Sequence, residues 1–150
     1  MPITKLSITE YLKLSKDHPV LDVRSPGEFS HAHIPGAYSL PLFSDEERKV
    51  VGTAYKQENR EKAIKIGLSY FGNKMVSMIE EVEKLIADRK HSNISRSVLV
   101  HCWRGGMRSA GVAWLLDLYG FTVYTLSGGY KAYRNWVLKQ FEGTYNIYVL

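Results

Sequence analysis

Residues 101–109 read HCWRGGMRS, which puts the chain's one cysteine, two arginines and two adjacent glycines in a single short stretch. A cysteine acts as a nucleophile only as its thiolate, and a free thiol with pKa about 8.5 is only a few per cent ionised at neutral pH. Lowering that value by about two units takes roughly 2.7 kcal/mol of preference for the anion. A helix N-terminus contributes only about 0.3–1 kcal/mol, so the rest must come from nearby cations and backbone amides. Arg104 and Arg108 are the cations, and Gly105 and Gly106 leave the backbone free to turn its N–H groups inward, as in the anion-binding nests at helix starts. Cys102 is therefore the candidate nucleophile. Trp103, Arg104, Gly105, Gly106, Met107 and Arg108 form a loop suited to an anionic sulfur species or a tetrahedral oxyanion. An inert buried thiol is the ordinary fate of a free cysteine, but two arginines this close would be costly around one.

The flanking elements must deliver that loop. SVLVHC at 97–102 is apolar and β-branched and reads as a central strand, followed by the glycine turn and a helix from Arg108 to Tyr119 that Gly120 ends. In parallel α/β sheets ligands bind beyond the carboxyl ends of the strands, where Cys102 stands. Upstream, Ser7 with Glu10 and Ser44 with Glu47 are capping boxes, opening helices over 8–16 and 45–57. PVLDV at 19–23 reads as a short strand, Pro26 starts a turn of helix, and GAYSLPLF at 36–43 is a strand cut by Pro41. A helical stretch runs from Glu61 to Lys90, broken near Gly72, with apolar residues at 75, 78, 79, 82, 85 and 86 in its last part. FTVYTL at 121–126 is the next strand and 128–141 the closing helix. TYNIYVL at 144–150 reads as a strand, either the last edge strand or the opening strand of a further domain. Alternating strands and helices predict an α/β fold, a central parallel sheet with helices on both faces.

At 150 residues this is one domain with enough chain for a real core. One cysteine excludes an internal disulfide, the apolar runs are too short to span a membrane, and no secretory leader opens the chain, so a cytoplasmic protein is expected. A net charge of +5 points to an anionic partner without naming it.

DVRSPGEFSHAHIPGA at 22–37, HCWRGGMRS and LSGGYKAYR at 126–134 resemble the rhodanese-like domain. PLFSDEERKVVGTAYKQ at 41–57, CWRGGMRS and GGYKAYR more particularly resemble the N-terminal rhodanese domain of the tRNA 2-selenouridine synthase family, and the likeness covers nearly the whole chain. The resemblance implies a rhodanese-like domain over 1–143, with 144–150 a terminal strand or the lead-in to an absent P-loop domain. It implies a transferase that replaces the sulfur of wobble 2-thiouridine in tRNA with selenium, with selenophosphate as co-substrate and no bound cofactor or metal. Geranyl diphosphate serves the complete enzyme. The partners it implies are tRNA and a P-loop domain or a separate P-loop subunit, since no G-x-x-x-x-G-K-[ST] occurs here. Carried over by position, Cys102 is the family's catalytic cysteine. Asp22, Arg24, Glu28 and His33 match the rhodanese entry motif and are read as mainly structural, while Ala32 stands where that motif usually has glycine.

His-Cys, five residues, then Arg-Ser is also the pattern of cysteine phosphatases, some of which share the rhodanese fold, so a Cys-x5-Arg phosphatase is the alternative. The loop is one residue longer than in ordinary sulfurtransferases, and the wider cradle suits a tetrahedral group such as selenophosphate. On that expectation Cys102 attacks the selenium of a donor held by Arg108 and keeps it as a Cys–Se anion. A phosphatase would also need a general acid, and none lies between Cys102 and Arg108. Lys56, Lys131 and Arg134 are candidate contacts to tRNA or a partner, with Lys139 beside them, while Tyr130, Tyr133 and Val137 face the core at helical spacing. Trp103 either stacks on a base or packs beneath the loop.

Overall fold

The computed structural model describes residues 3–88 and 96–149. Five strands form one all-parallel sheet: β1 (Thr4–Leu6), β2 (Val20–Asp22), β3 (Tyr38–Ser39), β4 (Ser97–His101) and β5 (Thr122–Leu126), in spatial order β1-β5-β4-β2-β3. The helices are α1 (Ile8–Leu14), α2 (Pro26–His31), α3 (Asp45–Gln57), α4 (Arg60–Gly72), α5 (Met75–Asp88), α6 (Met107–Tyr119) and α7 (Gly129–Gln140). The α/β architecture expected from the sequence is the one observed.

Strand alternation divides the interior in two. Leu21, Val23, Val98, Val100, Cys102 and Val123 join residues of α4, α5 and α6 in one cluster. Val20, Leu99 and Leu126 join Tyr11 of α1 and Tyr130 of α7 in the other. β4 lies between β5 and β2, so residues 98–101 are buried on both faces, the strand is paired on both edges, and the cysteine follows directly from this central strand.

The capping box at α3 is complete, with Ser44 Oγ accepting from Glu47 N (3.1 Å) and Ser44 N donating to Glu47 Oε1 (2.8 Å). At α1, Ser7 Oγ accepts from Glu10 N (3.3 Å), but the Glu10 carboxylate takes the Ser7 hydroxyl (3.0 Å) rather than its N–H, so the N-cap forms without the box. The break in the long helical stretch falls at Asn73–Lys74. There Lys74 Nζ donates to Leu42 O (3.1 Å) and pairs with Glu47, tying the start of α5 to the start of α3. The part of that stretch expected beyond Asp88 lies outside the described residues. Two further expectations need revision. β1 was not anticipated: three residues with only Leu6 buried carry too little alternation to announce a strand, and pairing with β5 creates it. Residues 144–149 form neither strand nor helix. They are exposed, and the apolar side chains of Ile147 and Val149 meet no sheet edge.

Candidate active site

Cys102 is the first residue past β4 and is 3% exposed. Its Sγ lies 3.1 Å from Ser109 Oγ, and Ser109, in the first turn of α6, donates in turn to Gly106 O (3.2 Å). A thiolate at this position would take the Ser109 proton instead, so this hydroxyl can serve either protonation state. Ser109 follows Arg108 in the sequence pattern but was not singled out there as a site residue.

The loop is seated on α7. Tyr130 N donates to Cys102 O (2.8 Å) and Lys131 N to Trp103 O (3.0 Å), so free amides at the start of one helix satisfy carbonyls of the loop. The seat depends on glycine. A Cβ on Gly129 (φ +61°) would fall 2.6 Å from Cys102 O and Gly105 N and 2.7 Å from Trp103 C, all backbone atoms. Gly105 itself has φ +72°.

Arg108 is held from outside the loop. Its Nη1 donates to Glu28 Oε2 (2.8 Å) and its Nη2 to Glu28 Oε1 (3.3 Å), a bidentate pair across the 80 residues that separate them. Burial favours the neutral form of Glu28, but hydrogen bonds and charge from Arg108, with Ser25, outweigh it and hold the carboxyl below its ordinary range. Of the four entry-motif residues, Glu28 thus reaches the loop. His33 does not: it is exposed, donates from Nδ1 to Phe29 O (2.8 Å) and stacks on Phe29.

Asp22 and Arg24 belong to a buried network behind the loop. Arg24 is 2% exposed, donates from Nε and Nη2 to the Asp22 carboxylate and from Nη2 to Ala32 O (2.8 Å), and lies 4.0 Å over the Tyr130 ring. Ala32 sits at φ −168°, extended backbone open to any residue, so its departure from glycine costs nothing here. His101 Nε2 lies 3.3 Å from Asp22 Oδ2, off the line of a hydrogen bond, and the Tyr11 hydroxyl bonds His101 Nδ1 (2.9 Å). Burial alone would raise the Asp22 carboxyl, yet the adjacent His101 and Arg24 hold it well below the carboxylate range. Burial, followed by the charges of Asp22 and Cys102, pushes the Tyr11 phenol well above its usual value.

The remaining candidates are dispersed. Trp103 is half-buried against Tyr130, with ring centroids 5.8 Å apart, and keeps part of its ring exposed. Arg104, Gly106 and Met107 are exposed on the rim, and Arg60 Nη2 reaches Met107 Sδ (3.9 Å). Lys131 and Arg134 project from the start of α7 into solvent, while Tyr130 and Tyr133 face the core. Lys56 is exposed in the last turn of α3, and Gln57 lines a groove of about 530 Å³ with Lys49, Val50, Thr53 and Ile66. Among the described residues no helix is long and apolar enough to cross a membrane.

A parallel sheet of this order, with a cysteine loop at the carboxyl end of its central strand, is a rhodanese-type arrangement. The family model described as "Rhodanese-like domain" matches residues 7–135, and the chain belongs to that family. Among curated relatives, the tRNA 2-selenouridine synthase of Bdellovibrio bacteriovorus is 39% identical over 125 residues, covering 83% of this chain and 31% of that protein. The one from Shewanella pealeana is 32% identical over 148 residues, covering 98% and 39%. The chain therefore spans about a third of the length of these relatives. Among solved structures, an N-terminal domain from Clostridium difficile 630, whose parent protein is named for ATP/GTP binding, aligns with TM-score 0.79 and 38% identity over 90% of this chain and 99% of that one. Saccharomyces cerevisiae Ygr203w, described as a homolog of single-domain rhodanese and the Cdc25 phosphatase catalytic domain, shares the fold at TM-score 0.51 and 15% identity, over 89% and 80%.

Proposed function

We propose that this chain is the rhodanese-like part of a tRNA 2-selenouridine synthase, a transferase acting in the cytoplasm. In it Cys102 is the nucleophile that handles the selenium or sulfur exchanged at wobble 2-thiouridine. The observation that carries the reading is the position of Cys102, buried at the end of the central strand beside Ser109 in a loop seated on α7. Relatives bearing that enzyme's name match 83–98% of the chain.

Electron counting narrows the step. With a persulfide or perselenide donor, the Cys102 thiolate attacks the outer chalcogen, the chalcogen–chalcogen bond breaks, and its electron pair leaves on the inner sulfur; nothing is oxidised overall. With selenophosphate, attack on selenium would send the Se–P pair to phosphorus and expel phosphite. Attack on phosphorus instead releases hydrogen selenide and leaves a phosphoryl group on Cys102, which water removes as phosphate. Only this second course yields phosphate without an outside oxidant, and it suits a Cys-x5-Arg loop wide enough for a tetrahedral group, with Arg108 its cation. It replaces the Cys–Se anion expected from the sequence where selenophosphate is the donor.

Exposed Lys131, Arg134 and Lys56 supply phosphate contacts to tRNA. A P-loop unit, on the same or a separate chain, completes the enzyme and takes geranyl diphosphate. The share of each relative left unmatched and the nucleotide-binding name of the Clostridium difficile parent support this.

The test is intact mass after anaerobic exposure of the chain and its Cys102→Ser variant to selenophosphate, or to a perselenide donor. A Cys102-dependent phosphoryl or selenium adduct is expected. Cys102-dependent turnover of a phosphoester with neither adduct would instead establish the Cys-x5-Arg phosphatase, to which the spacing of Cys102 and Arg108 is equally suited.

A further inference from the structure

Arg108 is the loop arginine that is partly buried, while Arg104 is exposed on the rim, and at rest the Arg108 charge is already matched. Glu28 accepts one bond from each of its Nη atoms, and the pair is only 21% and 13% exposed at Arg108 and Glu28. The same carboxylate is anchored at the start of α2, where Oε2 accepts from Ser25 N (2.8 Å) and Ser25 Oγ (2.9 Å). A second cation waits beside it: Arg48 Nη2, from the first turn of α3, lies 3.4 Å from Glu28 Oε1 and is 53% exposed. The Arg108–Glu28 pair is neutral as a unit, so an oxyanion that approaches the Nη edge of the guanidinium competes with Glu28 for it, and one that approaches elsewhere meets a charge already compensated. Glu28 left unpaired and half-buried would be costly, but Arg48 is placed to receive it.

We propose that Glu28 is a built-in competitor for the loop's anion site, handing Arg108 to an incoming tetrahedral oxyanion by turning to Arg48. It is a positioning residue that prevents the loop from retaining phosphate. The proposal rests on the reading of the Cys102–Arg108 loop as an oxyanion cradle and adds the element that sets its affinity. The consequence is specificity for turnover: a phosphate product leaves because Glu28 recaptures Arg108. A binding protein for phosphate would have no use for this carboxylate.

Titration calorimetry with inorganic phosphate on the intact chain tests this. E28Q keeps an oxygen for Ser25, so the start of α2 is preserved while the charge is removed. It should bind phosphate about tenfold more tightly than the unaltered chain, equivalent to ~1.4 kcal/mol. E28D, one methylene shorter, should shift affinity in the same direction by less, and it stands in if E28Q fails to fold. R48Q should weaken phosphate several-fold in the unaltered chain and have no effect in the E28Q background. If Glu28 only props Arg108 in place, E28Q and E28D will bind phosphate more weakly, which overturns the proposal. If R48Q weakens binding equally in both backgrounds, Arg48 touches the anion directly and the hand-over is wrong. R108A is the separate control. If R108A binds phosphate as well as the unaltered chain, the oxyanion cradle itself fails, whatever Glu28 does.

Discussion

Replacing Gly129 by alanine tests whether the seat on α7 sets the geometry of the cysteine loop. The added Cβ would meet three backbone atoms at 2.6–2.7 Å, and none of them can rotate aside as a side chain would. Relief requires the loop and the start of α7 to separate, which threatens the bonds from Tyr130 N to Cys102 O and from Lys131 N to Trp103 O. Two hydrogen bonds at about 0.5–1.5 kcal/mol each, plus about 1–2 kcal/mol for alanine at positive φ, give a loss of about 2–5 kcal/mol. Gly36→Ala is the matched control, because Gly36 has φ +83° with nothing within 4 Å of its added Cβ and should lose only the conformational share. Urea denaturation reads stability, and the rate of Cys102 alkylation by iodoacetamide under native conditions reads the loop. Cys102 is nearly inaccessible, so the unaltered chain and Gly36→Ala should react slowly and Gly129→Ala at least several-fold faster. A Gly129→Ala protein no less stable than Gly36→Ala, with an unchanged alkylation rate, would refute the argument.

Asp22→Asn should destabilise by about 3–5 kcal/mol, because it leaves the Arg24 guanidinium buried without its counter-ion; the urea midpoint at pH 7 measures this. The pH dependence has a definite sign: Asp22 titrates lower in the folded chain than unfolded, so its stabilisation is complete above about pH 4 and is lost as pH falls below that. Stability measured at pH 7 and pH 3 should drop more for the unaltered chain than for Asp22→Asn, and equal drops would contradict the assignment. Tyr11→Phe should cost about 1–3 kcal/mol by stranding His101 Nδ1 in a site with no exposure, seen as a lower melting temperature; an unchanged melting temperature would mean another group satisfies that nitrogen.

What the sequence made legible was local. Ser7 and Ser44 announce their helices because an S-x-x-E pattern spans only four residues, and β4 is readable because three consecutive apolar residues, 98–100, stand just before His101 and the cysteine. The loop was readable for the same reason: Cys102, Gly105, Gly106 and Arg108 are near neighbours in the chain. The contacts that control it were not. Glu28 meets Arg108 across 80 residues and Tyr11 meets His101 across 90, and no periodicity encodes either pair. Three residues that pair with β5 only after folding gave no signal, whereas residues 144–149 have strand composition and pair with no strand among the described residues.

The segment between β3 and β4 ties the family-specific sequence to the chemistry. α3, from the stretch that most resembles the selenouridine synthases, supplies Arg48 to Glu28, and α4 supplies Arg60 to Met107 at the mouth of the loop. Three helices would be a long crossover if their only task were to cover one sheet face, for which α5 and α6 already provide Met78, Val82, Val112 and Leu116. Their added value is at the rim, where Arg48 reaches Glu28 and Arg60 reaches Met107, adding two arginines to Arg104 and Arg108 of the loop. A largely buried carboxylate between Arg48 and Arg108 tempers that positive field, which is the balance the E28Q and R48Q titrations read.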